Sequence, residues 1–278
     1  MSSPFGLATP GHVPLERPPL VRALAQVRFP TSSAFVGDED GVAKAVAAAL
    51  AADYPIFQES REVSLTITPE GFEGSPGGAR IWRLVSASGR ASVNFGGSFL
   101  AIETAEYTRR SEFVGRLAAA WSALTSHARP PFVERLGVRY TNRIEAPAQI
   151  LRLPELIRPE VLGVVAVDPG NARLVTGLSE AQYEMRDGAT LQARWGLLPG
   201  GMVVDPTLPA ATETSWLLDL DAYRLWTPGQ CDGEQVGELA AELALSAYQY
   251  FRWTMTAEAL AEFGGDADGT DAGLDQSY

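Results

Sequence analysis

The segment Glu112-Phe113-Val114-Gly115-Arg116-Leu117-Ala118-Ala119 returns later in the chain as Glu234-Gln235-Val236-Gly237-Glu238-Leu239-Ala240-Ala241. A chain that carries one unit twice is constrained to fold as two similar modules, because each copy must satisfy the same pattern of apolar positions. One echo in an alanine-rich chain is weak, so the order of other matches decides. Ala25-Gln26-Val27-Arg28-Phe29 answers to Leu136-Gly137-Val138-Arg139-Tyr140. Ser98-Phe99-Leu100 through Glu106-Tyr107 answers to Ser215-Trp216-Leu217 through Asp221-Ala222-Tyr223. The spacings, 111 from Val27 to Val138, 117 from Ser98 to Ser215 and 122 from Val114 to Val236, rise slowly along the chain. Loop insertions produce such a trend, whereas chance matches scatter. Compositional coincidence is the competing explanation.

The elements repeat in the same order. Ala25, Val27 and Phe29 alternate with Leu24, Gln26 and Arg28, the period of a strand. Gly37-Asp38 opens a helix with Val42, Val46 and Leu50 on one face, and Pro55 stops it. Strands follow over 62–68, 80–86, 91–95 and 99–105, with turns at Pro69-Glu70-Gly71, Ser88-Gly89 and Gly96-Gly97. Ser111 caps the next helix, whose buried stripe is Val114, Leu117, Trp121 and Leu124. The second round reads as a strand over 132–144 and a helical stretch over 148–162 broken at Pro154 and Pro159. Strands over 173–185, 190–198 and 215–223 follow. Asp232 with Gln235 forms a capping box for a long helix bearing Val236, Leu239, Leu243, Tyr250 and Phe251 toward the sheet.

These readings predict an α+β fold, an internal duplication of a β-α-β-β-β-α unit. Antiparallel sheets carry helices packed on one face, with pseudo-twofold symmetry. The expected divisions are a flexible Pro-rich arm over 1–19, a first repeat over 20–130, a second over 131–263 and a disordered acidic tail over 264–278. The open face of the sheet, or the groove between the repeats, is the natural ligand surface. The alternative is that helices of both halves close over the sheet and bury everything.

Charge and composition exclude several functions. With 22 Lys and Arg against 34 acids and a net charge of -12, the chain lacks the basic surface that grips phosphate backbones, so no nucleic-acid partner is expected. No apolar run is long enough to cross a bilayer and no signal peptide is visible, so no membrane association and a cytoplasmic location are expected. Cys231 is the single cysteine and His12 and His127 the two histidines, which leaves no ordinary zinc ligand set and no expected metal or cofactor. Cys231 precedes the long helix but has Asp232 beside it and no nearby histidine as base. Gly77-Gly78, Gly96-Gly97 and Gly200-Gly201 lead into strands or loops rather than a helix N-terminus, so phosphate cradling is not expected.

Arginines on strands carry the remaining chemistry. Arg28 and Arg139 occupy matching positions, Asn142-Arg143 extends the second strand, and Arg28, Arg139 and Arg143 share one parity. Convergence near a twofold axis would give a site for an acidic ligand or peptide carboxylate. The competing reading is internal pairing with Glu103, Glu106, Asp219 or Asp221. Tyr250, Phe251 and Trp253 put apolar bulk around a helix end and mark an expected contact with a second helix or subunit, so a homo-oligomer is also open.

Pro19-Leu20 leads into Gln26-Val27-Arg28-Phe29, then Leu136-Gly137-Val138-Arg139-Tyr140-Thr141-Asn142-Arg143-Ile144 follows, then Phe251 leads to Thr256 and Leu260. This combination resembles a sporadically distributed family of uncharacterised bacterial and archaeal proteins of similar length. The resemblance covers nearly the whole chain outside the arm and tail. It implies a cytoplasmic protein and brings no activity, cofactor or catalytic residue to carry over. Patchy distribution associates such a family with accessory systems such as defence or toxin-related loci. The expected function is therefore a non-catalytic binding or adaptor protein with a protein or peptide partner. The alternative is an enzyme or small-molecule sensor using Glu103 or Asp219 in a pocket between sheet and helices.

Overall fold

A computed structural model describes residues 3–5, 11, 13–61, 64–68, 71–75 and 79–265. The fold is α+β. Among the described residues there are one nine-stranded antiparallel sheet, a separate two-stranded hairpin and eight α-helices.

The chain begins with β1 (Leu20–Arg28), α1 (Ser33–Gly37) and α2 (Glu39–Leu50), then β2 (Ile56–Arg61) and the hairpin β3 (Ser64–Thr68) and β4 (Gly71–Ser75). Next come β5 (Arg80–Val85), β6 (Ala91–Phe95), β7 (Phe99–Thr104) and α3 (Arg110–Ala128). The second half holds β8 (Arg135–Ile144), α4 (Pro147–Leu151), α5 (Leu153–Leu156) and α6 (Pro159–Leu162). It continues through β9 (Gly177–Glu184), β10 (Thr190–Leu198), β11 (Ser215–Leu225), α7 (Val236–Thr254) and α8 (Ala257–Glu262). The sheet order is β2-β5-β6-β7-β1-β8-β11-β10-β9, so β1 and β8 join the two halves at the centre of one continuous sheet.

Alternation decides which face is covered. Ala23, Ala25 and Val27 of β1, Leu136 and Val138 of β8, and Leu218, Leu220 and Ala222 of β11 are fully buried. They lie under α3 and α7, which also pack against each other. Trp195 of β10 faces the same way, its Nε1 donating to the Val161 carbonyl of α6. The opposite face carries Arg28, Arg135, Arg139 and Arg143 with their cross-strand neighbours.

Local chemistry sets the helix ends. Asp38 caps α2 through its side chain, accepting from the Gly41 N–H at 2.8 Å. Glu39 and Asp40 in its first turn suit the helix dipole. Pro147, Pro154 and Pro159 each stand in the first turn of a short helix, where a missing N–H costs nothing.

Several expectations are corrected. Arg109 rather than Ser111 is the N-cap of α3, and Thr108 bonds to Glu112 one turn in. Phe113 and Ala120 are buried along α3, while Val114 is half-buried. The Asp232–Gln235 capping box does not form. Asp232 accepts from the Glu234 N–H at 3.0 Å in a tight turn, and α7 starts at Val236 without a side-chain cap. Strands β2 and β4 were not expected. The proposed turn at Pro69-Glu70, together with Gly77-Gly78, His12 and residues 266–278 of the acidic tail, lies outside the described residues.

Three described residues that precede β1 make contacts with the rest of the chain. The Val13 N–H donates to Tyr248 Oη at 3.0 Å, and the Arg17 N–H donates to the Phe263 carbonyl at 3.0 Å. Phe5 stacks edge-on against Tyr183 with ring centroids 5.3 Å apart.

Candidate functional site

On the open face of the sheet, β8, β11 and β10 and the loop of residues 199–214 enclose a polar cleft of about 280 Å³. Arg139 comes from β8, Asp219 and Asp221 from β11, Gln192 and Arg194 from β10, and Val204, Asp205 and Pro206 from the loop. Register puts these side chains together. Asp221 lies opposite Arg139 on one side and Gln192 on the other, and Asp219 lies opposite Thr141 and Arg194.

Arg139 is the hub. It reaches diagonally to Asp219 through two bonds, Nε to Oδ1 at 2.8 Å and Nη2 to Oδ2 at 2.7 Å, and meets Asp205 at 3.0 Å. Asp219 is only 6 % exposed and accepts a further bond from Thr141 Oγ1. Asp205 is also bound by Arg22, which donates at 2.5 Å to its carboxylate and at 2.6 Å to Thr207 Oγ1. The loop is thereby clamped onto the sheet from two strands. Fork-shaped, charge-assisted pairing of this kind fixes geometry as well as contributing energy.

The pKa directions follow from this network. Burial pushes the Asp205 carboxyl up, but hydrogen bonds from the Thr207 side chain and N–H, with the Arg22 guanidinium, outweigh it and hold Asp205 well below the usual carboxylate range. Asp221 shifts the other way. Burial raises it more than Arg135 and Arg139 lower it, and Asp219 adds to the rise. For Arg139, burial acts to lower the pKa, but the bonds and charge of Asp219, with Asp205 beyond, prevail and keep the guanidinium charged.

The predicted residues separate into different environments. Arg28 does not converge with Arg139: it stands opposite Arg135, while Leu24 stands opposite Arg139. At ~3.3 Å per residue, Arg28 is about 13 Å along the strand. It is exposed and has no ion-pair partner among the described residues. Arg143 anchors the loop, its Nη1 donating to the Pro209 carbonyl at 2.7 Å, and pairs with Glu145. Asn142 belongs to the helix-side face, buried, with Nδ2 donating to the Leu218 carbonyl at 3.3 Å. Arg139 thus pairs internally with Asp219, one of the acids the competing reading named, whereas Arg143 pairs with Glu145, which it did not name. Tyr250 is 1 % exposed, packed among Phe5, Tyr183, Trp195 and Trp253, so it is core rather than interface. Phe251 and Trp253 are half-buried, Phe251 beside Tyr248 and Trp253 beneath Arg158.

Arg22, Asp205 and Gly137 were missed. Arg22 had the parity of Arg28 as its only signal, and Asp205 sat in a loop legible only as Gly- and Pro-rich. Gly137 is a glycine inside a strand, a mark of close approach. The Arg135 guanidinium lies across it, where a Cβ would come within 2.5 Å of Nη1, and so reaches Asp221 at 2.9 Å and the Tyr223 ring.

Glu103 and Asp219, the acid–base candidates, face away from the helices and are paired, Glu103 with Arg83 and Ser92. Cys231 is buried in the core, and its carbonyl accepts from the Val133 N–H at 2.8 Å. Among the described residues no cluster of three or more His, Cys, Asp or Glu has the arrangement of a metal site, and no helix is long and apolar enough to cross a membrane. The chain matches no protein-family model and no curated protein in sequence.

Proposed function

We propose that this is a non-catalytic binding or adaptor protein of an accessory bacterial system, working in the cytoplasm, whose open sheet face presents the Arg139 cleft to a protein or peptide partner. The observation that carries the reading is the one-sided covering of the sheet. The helices take one face, and the other is left as an ordered lattice of charged side chains around a cleft. Polar groups held by fixed partners suit recognition of a polar polypeptide surface better than burial, because their cost of ordering is met before binding.

Descent by duplication belongs to the same proposal. Outward from the central pair, the sheet runs β1, β7, β6, β5, β2 on one side and β8, β11, β10, β9 on the other, so the matched strands β7 and β11 each lie next to the matched central pair. Gln26 pairs with Gly137, its own match, as a twofold axis through β1 and β8 requires. Helices α3 and α7 meet at the repeated segment: a Cβ on Gly237 would stand 3.5 Å from the Ala118 Cβ, and Trp121 Nε1 donates to the Gly233 carbonyl at 2.9 Å.

The test is affinity capture from the native cell with the wild-type chain and with Val204→Trp, which fills the cleft from the loop side. A protein retained by the wild type and depleted at least tenfold by the variant supports the proposal. Identical retention by both, or turnover of a panel of esters, phosphates and nucleotides, rejects it.

A further inference from the structure

Strand β9 ends the sheet, and among the described residues no strand pairs with its outer edge. Its register with β10 is unbroken from Glu184 opposite Thr190 to Gly177 opposite Leu197, so no bulge turns the edge aside. Gly196, with φ +147°, lets β10 come so close that a Cβ there would fall 1.9 Å from the Gly177 carbonyl oxygen. In an antiparallel ladder every second residue of an edge strand directs its N–H and C=O outward. Among the described residues, none bonds to those outward groups of β9. Natural edges are guarded by lysine, proline, bulges or a covering element, and the sequence Gly177-Leu178-Ser179-Glu180-Ala181-Gln182-Tyr183-Glu184 contains neither lysine nor proline.

The side chains beside the edge indicate what fits it. On the open face, Glu180 and Glu184 are exposed. Glu180 is held by Arg194 and Gln192, and Glu184 has no ion-pair partner among the described residues. At the strand's start Leu178, Val175 and Val164 are 48–53 % exposed, with Val164 lying against Gly177. A second copy is a poor occupant. Antiparallel pairing centred on Gln182 sets Glu180 of one copy against Glu184 of the other, and the whole chain carries a net charge of -12.

We propose that the outer edge of β9 is a strand-addition site for an extended polypeptide segment with basic residues at alternate positions and an apolar residue meeting Leu178. Main-chain hydrogen bonds give such a complex its affinity, and alternate side chains give its specificity. The inference rests on the reading of the protein as a polypeptide binder but not on the cleft.

The experiment is a selection of random decapeptides displayed against the full-length chain. Enriched peptides are expected to alternate basic residues and to slow amide hydrogen exchange across residues 177–184. Glu184→Lys, an exposed change that leaves the unfolding midpoint in place, is expected to weaken them at least tenfold, and Val204→Trp to leave them unaffected. Failure to enrich, binding indifferent to Glu184→Lys, or a peptide-free dimer protected at β9 overturns the proposal. Peptides sensitive to Val204→Trp alone overturn the edge site while sustaining the cleft.

Discussion

At the residue scale the site is a set of charges that satisfy one another, and its energetics follow from burial. Removing one member of a largely buried ion pair leaves the other desolvated and unpaired, at a cost of about 3 kcal/mol. Asp219→Ala leaves Arg139 with Asp205 as its partner and is therefore expected to lower unfolding free energy in urea by less, about 2 kcal/mol. The double change Asp219→Leu with Arg139→Met is expected to lose less than the single one, because no orphaned charge remains. Two aspartates in one cleft have opposite pH signatures. Asp205, held below its unfolded value, contributes stability that is fully present above about pH 4 and is lost as pH falls toward its folded value. Asp221, raised above its unfolded value, opposes folding once both states are ionised and ceases to do so as pH falls through its folded value. Accordingly Asp205→Asn lowers stability at pH 7, and Asp221→Asn lowers it less, because burial already opposes the Asp221 carboxylate that Arg135 holds. A denaturation series from pH 3 to 8 reads both effects. Arg139 and Arg143 could be read from strand parity, and Asp219, the partner of Arg139 on a neighbouring strand, was among the alternatives, while Glu145, the partner of Arg143, was not. Asp205 could not, since a loop's path over a sheet leaves no periodic trace in the chain, and without it the parity of Arg22 pointed to no partner.

At the element scale, strands bounded by clear turn signals such as Ser88-Gly89 and Gly96-Gly97 were legible. Thr190–Leu198 matches β10, and the expected strands over 80–86, 91–95 and 99–105 match β5, β6 and β7 to within a residue. Strand β2 was missed because Ile56-Phe57-Gln58-Glu59-Ser60 lies at the sheet's edge, exposed throughout and without an inward face to impose a period. The helix starts failed for a different reason. Ser111 and Asp232 are good capping residues by type, but chain direction at each entry is set by packing, through Tyr107 against Tyr140 and Gly233 against Trp121. The contact between α3 and α7 gives a sharp test. Gly237 has room for a methyl group beside Ala118, so Gly237→Ala is expected to stabilise by about 0.5–1 kcal/mol through helix propensity. Gly237→Leu overfills the same crossing and is expected to cost about 1–3 kcal/mol. Thermal unfolding of the two variants reads opposite signs if the helices touch there.

At the scale of the whole molecule, one continuous sheet makes the two halves a single packing unit, with one face closed by helices and the other, among the described residues, covered only by the loop of residues 199–214. The amino-terminal segment contributes to the closed side, where Phe5 fills the ring of Tyr183 and Tyr250. Phe5→Ala is expected to destabilise the chain by about 1–2 kcal/mol in equilibrium unfolding, an effect a free arm would not produce. Under the proposed function, the partner docks on the open face. Site-specific photo-crosslinking in the native cell tests this most directly, with the photoreactive residue placed at Pro206 on the cleft rim or at Glu242 on the exposed side of α7. A discrete protein adduct from Pro206, with none from Glu242, is the predicted result. An adduct from Glu242 alone would contradict the account.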